Sequence, residues 1–509
     1  MPPIFLIVRA GFGEAWSVLA RTATLTLVGR TLLLAVLVGA GAVVVGVPMA
    51  WLVQRTTLPG RRWWAAACSL PLAMPSFVSA LSLLGAFGPK GFLQRMLEPL
   101  GVDRLPEIYG LPGATVALVM ATFPYVFLLS VAALRNIDPS LEEAARSLGR
   151  RSIGVFFAVT FPQIRRAVVG GVLIAGLYVI SDYGAVSLMR YDTLTPAIFT
   201  RNKATFDRAP AAVLGVLLIA LTVVFLLLEQ RARGRASFRL GPGSGRRPTV
   251  LPLGRWTAAA LAFSTSVIAA FVVVPVAVLV YWVVRSNGNG RNLTIPWAAA
   301  TSTLTVAVIS AIVVTLLAVP VSVLSRRYPR PWTRALERSA YSSNALPGVV
   351  VGLALVFVGA RYLPVLYQTL PLLLVGYLIR YFAQALTGVD SALAAVNPRA
   401  EEAARGLGRT PLKVLASVTL PMMRPGLISG GTLVFLSVLK ELPVTLFLRP
   451  TGFDTLATVV WSKAGVGSYG PAAVAALMLL VIAVPFLYLA ARDGSGRPSD
   501  DALPAVPAA

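Results

Sequence analysis

At 509 residues, 57% hydrophobic and 13% charged, the chain carries too few charges to clothe a soluble body of its size. The formal charge of +25 is spread between apolar runs rather than gathered on one soluble face, which argues against nucleic acid as a partner. A single cysteine, Cys68, and the lack of histidine exclude disulfides, thiolate redox chemistry and histidine metal sites.

Taken in chain order, "PPIFLIVRA" near the start has no charged leader of the signal-peptide kind. Apolar runs of bilayer-spanning length follow at 31–53 and 65–86, then a polar stretch at 88–110 and a further run at 111–134. A charged phrase, "EEAARSLGRRSIGVFFAVTFP", fills 142–162, and runs at 167–188 and 210–229 come after it. "RARGRASFRLGPGSGRRPTVLPLGR", residues 231–255, is rich in Arg, Gly and Pro and reads as a linker. Beyond it lie runs at 256–284, 299–325, 339–360 and 367–393, the phrase "EEAARGLGRTPLKVLASVTLP" at 401–421, and runs at 425–446 and 472–491. The runs are continuous rather than alternating, so the spans are helices and not barrel strands. The fold class expected is an all-α polytopic membrane protein embedded in lipid.

The chain repeats itself. Glu143 pairs with Glu402, Gly149 with Gly408 and Pro162 with Pro421 at a spacing of 259, and Arg146/Arg405, Thr160/Thr419 and Arg165/Arg424 share it. Upstream, Pro48 pairs with Pro320 and Pro75 with Pro347 at a spacing of 272, so 272 − 259 = 13 extra residues belong to the polar stretch of the first half. Two homologous halves of about six helices are expected, at 1–230 and 256–492, with a cytoplasmic linker at 231–255 and a disordered tail at 493–509. At the spacing of 272, Pro275 falls on Pro3, so the first helix of the N-terminal half is expected to be truncated. Six spans separate the two phrases, which places them on one side. That side also collects Arg55, Arg61, Arg62, Arg326, Arg327, Arg330, Arg334, Arg338 and Arg492, the pattern of a cytoplasmic face.

Within the phrases, Pro139 and Pro398 suit the first turn of a helix. Glu142, Glu143, Glu401 and Glu402 sit near its positive end. Ala144, Ala145, Ala403 and Ala404 prolong it, and Gly149 or Gly408 lets the chain turn before Pro162 or Pro421 introduces the next span. One such copy could be an ordinary solvated loop; two copies in register point to a docking element.

Glu-Ala-Ala, a glycine and a proline at this spacing resemble the cytoplasmic signature loop of ABC importer permeases. The resemblance implies the type I importer permease fold. It also implies that the short helix fits a groove on an ATPase subunit, with two copies of that subunit engaged. It further implies a bacterial cytoplasmic membrane location and an extracytoplasmic solute-binding protein as partner. The chain has no G-x-x-x-x-G-K-[ST] phosphate loop, so ATP and Mg belong to the partner ATPase and no cofactor or enzymatic step is expected here.

"KELPVTLFLRPTGFDTLATVVW" at 440–461 and "SDYGAVSLMRYDTLTPAIFTRNKATF" at 181–206 are similar to stretches of fused ferric iron permeases. Thiamine, polyamine or another small solute is the alternative cargo, and a secondary transporter with duplicated halves is the reading from another class. At the spacing of 259 Asp182 falls on Glu441, each near the outer end of a span. Intramembrane carboxylates commonly face a path, and oxygen ligands suit a hard cation. Pairing of Glu441 with Lys440 or Arg449 is the structural alternative. Asp182, Tyr183, Glu441 and mid-span Arg380 are therefore the candidate translocation residues, with no metal site firmly assigned. Gly170–Gly171 and Gly430–Gly431 are expected to let helices approach.

Overall fold

The computed structural model describes residues 12–88, 91–101, 105–150, 152–204, 209–233, 250–288 and 293–494. The first half contains α1 (Thr22–Arg55), α2 (Arg61–Ser69), α3 (Ser76–Phe87), α4 (Leu111–Arg135) and α5 (Pro139–Ser147). It continues with α6 (Phe161–Ser181), α7 (Gly184–Leu188), α8 (Leu194–Ala204) and α9 (Ala209–Arg233). After the linker come α10 (Gly254–Gly288), α11 (Trp297–Arg327), α12 (Pro331–Ser342), α13 (Gly348–Tyr362) and α14 (Leu370–Ala394). The chain ends with α15 (Pro398–Gly406), α16 (Leu420–Leu439), α17 (Pro443–Leu448), α18 (Leu456–Gly465) and α19 (Tyr469–Gly494). Elements α11 to α19 repeat α1 to α9 one for one, and the counterpart of α10 among the described residues is only the short helix Phe12–Leu19, which at the spacing of 272 falls on the end of α10. Among the described residues ten helices are long and apolar enough to cross a bilayer, and Gly348–Tyr362 is a shorter apolar helix. The truncated-helix expectation at residues 2–10, the body of the linker and the tail from 495 lie outside the described residues.

Four expected spans are corrected. The runs at 65–86 and 339–360 do not form single helices: α2 stops at Ser69 and α12 at Ser342, and the spans restart after Pro75 and Pro347. A proline lacks the N–H that would continue the ladder and pushes its predecessor out of the α region, so the break falls there. The basic α2 and α12 thus precede the spans as separate segments. The runs at 167–188 and 425–446 likewise end early, at Ser181 and Leu439, and restart as α7 and α17. Pro48 and Pro320, by contrast, stay inside α1 and α11, where helix packing in a membrane tolerates them.

One continuous apolar core draws on both halves, from Leu34 and Phe77 through Val186 to Val349, Tyr377 and Leu479. Close helix crossings use the paired glycines: a Cβ on Gly171 would lie 2.8 Å from the Val126 backbone, and one on Gly388 2.7 Å from the Gly430 backbone. The extra helix α10 packs on the first half, where the Trp282 indole donates to the Gly85 carbonyl (2.9 Å). The end of the linker is fastened beside α1, with the Leu251 amide donating to the Arg55 carbonyl (2.9 Å) and the Leu251 carbonyl accepting from the Thr57 amide (3.0 Å).

Candidate functional site: twin docking helices and a central cavity

Helices α5 and α15 share the same cap and turn geometry. Asp138 and Asn397 cap them, each accepting from a backbone N–H two residues on, at 3.0 Å. Each ends in the same left-handed turn, with Gly149 at φ +81° and Gly408 at φ +77°. The Arg150 and Arg409 amides close it by donating to the Ala145 and Ala404 carbonyls, both at 3.2 Å. Behind each turn the chain forms a π-helical turn, Phe156–Thr160 or Leu415–Thr419.

The two glutamates of each phrase part company. Glu143 and Glu402 are exposed, together with Ala144, Ala403 and the leucines before the glycines, Leu148 and Leu407, each 83% exposed. Ala145 and Ala404 are buried, as are Glu142 (3% exposed) and Glu401 (4%). Glu142 accepts from the Thr160 hydroxyl (2.8 Å) and lies 3.6 Å from both the Arg55 and the Arg146 guanidinium. Glu401 repeats this with Thr419 (3.1 Å), Arg327 (3.1 Å) and Arg405 (3.7 Å). These glutamates therefore face inward and tie the docking helix to the end of α1 or α11. The outward face is left to Glu143, Ala144 and Leu148, and to their second-half equivalents. Pro162 and Pro421 start α6 and α16. Arg55 and Arg327 were read only as part of a basic side. Their spacing, 327 − 55 = 272, was the available signal of a shared partner.

Asp182, Tyr183, Arg380 and Glu441 come together around one cavity of about 450 Å³ between the halves, which Lys440 and Tyr381 also line. Asp182 and Glu441 cap the short helices. Asp182 accepts from the amides of Ala185 (3.0 Å) and Val186 (3.3 Å) and from the Ser76 hydroxyl. Glu441 accepts from the Val444 amide (3.1 Å) and the Tyr381 hydroxyl. Neither Lys440 nor Arg449 pairs with Glu441. Lys440 reaches across the halves to the Leu72 carbonyl (2.9 Å), and Arg449, beyond α17, pairs with Asp454. Buried Asp390, with Ser322, Arg326 (3.3 Å) and Tyr341 (2.7 Å) around it, forms a further polar cluster that occurs in the second half only. Its first-half counterpart, 390 − 259 = 131, is Val131. Sequence reasoning missed this cluster because a lone acid inside an apolar run carries no spacing signal.

A larger cavity of about 970 Å³ adjoins the first, sharing Leu226 and Gln384. Its lining runs along α14 to Ala395 and along α16 to Met422, the ends nearest α15, so it opens on the docking side. On the other side of the first cavity stands an aromatic layer. The Tyr183 ring lies 4.9 Å from Phe199 and 5.8 Å from Trp461, and Phe199 stands 5.2 Å from Phe447. Beyond it a third cavity of about 450 Å³ carries Lys203 and Arg449. Burial, and then repulsion by Arg449, hold the Lys203 ammonium below its usual pKa. Among the described residues no three Asp, Glu or Cys side chains gather as a metal site.

Residues 42–235 and 318–492 each match the binding-protein-dependent transport system inner membrane component family. The chain belongs to that family. It is an ABC transporter permease with two permease halves fused in one multi-pass membrane chain. It is 29% identical over 489 residues to an Fe(3+)-transport system permease protein of Haemophilus influenzae, covering 94% of this chain and 93% of that one. A probable sulfate transport system permease protein of Chlorokybus atmophyticus is 29% identical over 44% of this chain and 81% of its own. A sulfate transport system permease protein of Synechocystis is 30% identical over 37% of this chain and 70% of its own.

Proposed function

We propose that this permease imports ferric iron across the bacterial cytoplasmic membrane. Two copies of an ABC ATPase subunit dock at α5 and α15 and hydrolyse ATP, while an extracytoplasmic binding protein delivers the solute. The basic residues on the docking side support a cytoplasmic position for both docking helices and the C-terminus. The observation that carries the iron reading is the end-to-end match to the fused iron permease: the sulfate permeases align with less than half of this chain. The continuous cavities on the docking side and the aromatic layer opposite support a pathway that opens inward and is shut outward.

The test is ATP-dependent uptake by proteoliposomes holding this chain, its ATPase and its binding protein. Accumulation of ⁵⁵Fe(III) and no accumulation of ³⁵S-sulfate is the expected result. Sulfate uptake without iron uptake overturns the iron reading.

A further inference from the structure

The central cavity holds charges of both signs, and they are not equally available. All four oxygens of its capping carboxylates are engaged. Those of Asp182 take two backbone amides and the Ser76 hydroxyl; those of Glu441 take the Val444 amide and the Tyr381 hydroxyl. Both groups are 8% exposed, and both lie at the positive N-terminal end of a short helix.

The cations of the same cavity stand differently. Among the described residues neither Arg380 nor Lys440 forms an ion pair with a carboxylate, although buried Glu229 also lines the cavity and Glu441 is the neighbour of Lys440. The Arg380 Nε–H is buried without a hydrogen-bond partner, and its guanidinium lies 5.9 Å from the centre of the Tyr381 ring. Lys440 spends one of its three donors on the Leu72 carbonyl. Neither cation has an equivalent in the first half, where 380 − 259 = 121 is Ala121 and 440 − 259 = 181 is Ser181. The repeat thus keeps the caps in both halves and adds two cations to one. An uncommitted charge at membrane depth is costly, and a guanidinium fork with an ammonium beside a polar cavity suits anionic oxygens. The volume of about 450 Å³ is that of a small-ligand site.

We propose that this cavity receives its solute through an anionic oxygen group held by Arg380 and Lys440. Resting on the iron reading above, ferric iron then crosses with its anionic ligands and not as a bare trivalent ion. A free oxyanion presents the same chemistry, so the test separates the two sources.

The complete complex in proteoliposomes is offered ⁵⁵Fe(III) with [¹⁴C]citrate, and separately ³⁵S-sulfate. Uptake is normalised to assembled complex. Expected is joint entry of ⁵⁵Fe and ¹⁴C, lowered at least tenfold by Arg380→Gln with Lys440→Met and less by Asp182→Asn with Glu441→Gln. Arg380→Lys, which keeps the charge, retains most of the uptake. Should the double cation variant fail to assemble, Arg380→Gln alone against Arg380→Lys reads the same charge dependence. Iron uptake that is unchanged or faster once the cations are removed overturns the proposal. Sulfate uptake with the same cation dependence and no iron uptake upholds it while overturning the iron reading.

Discussion

The pair Ser76 and Asp182 in the first half becomes Gly348 and Glu441 in the second, since 76 + 272 = 348 and 182 + 259 = 441. A short acid that meets a serine has been exchanged for a longer acid that meets a glycine. A Cβ on Gly348 would stand 2.8 Å from Glu441 Oε1 and 3.1 Å from Pro443 Cγ. Gly348→Ser is therefore expected to destabilise by about 1–3 kcal/mol through overpacking. Glu441→Asp alone leaves the Tyr381 hydroxyl and the Val444 amide short of their acceptor. The double variant rebuilds the first-half pair, and its loss of folded protein should be smaller than the sum of the two singles. Thermal unfolding of the four proteins in detergent measures this, and simple additivity contradicts it. The equivalence of the two acids was legible from the repeat. Their use as helix caps was not, because each apolar run continues past the acid and shows no break in hydropathy.

At the scale of the element, the docking helix owes its shape to one glycine and one buried ion pair. Gly149 and Gly408 have nothing within 4 Å of an added Cβ, so only the backbone forbids a side chain there. A left-handed valine costs about 1–2 kcal/mol and reshapes the turn. Gly149→Val with Gly408→Val should abolish the ATP hydrolysis stimulated by loaded binding protein, with each single variant milder; normal stimulation in the double variant contradicts this. Arg55 is 1% exposed and Glu142 3%; removing Arg55 leaves Glu142 the partly exposed Arg146 and the Thr160 hydroxyl, a loss of about 1–3 kcal/mol. Arg55→Met should lower the yield of folded chain sharply. Arg55→Met with Glu142→Met should recover part of that yield, which size-exclusion chromatography can measure. The docking helices, their caps and their glycine turns were readable from periodicity and repetition. The inward turn of Glu142 and Glu401 was not, because it depends on arginines 87 and 74 residues away (142 − 55; 401 − 327).

At the scale of the whole molecule, the duplication makes sense as geometry. Fusion places both copies of the short helix, α5 and α15, in one chain while leaving each half free to diverge inside the membrane. Divergence is what the structure shows: the docking helices are near copies, whereas the cavity cations and the Asp390 cluster belong to the second half alone. The span count was close because hydropathy reports it well. The broken runs were misplaced because proline placement, not hydropathy, decides where a helix stops. Under the proposed function both docking helices are occupied at once. Native mass spectrometry of the complex purified through this chain measures that directly. One permease chain with two ATPase subunits is the predicted mass, with a share of the complexes falling to one ATPase when either Gly149 or Gly408 alone is replaced by valine. A wild-type complex with a single ATPase subunit, or with none, would contradict the account.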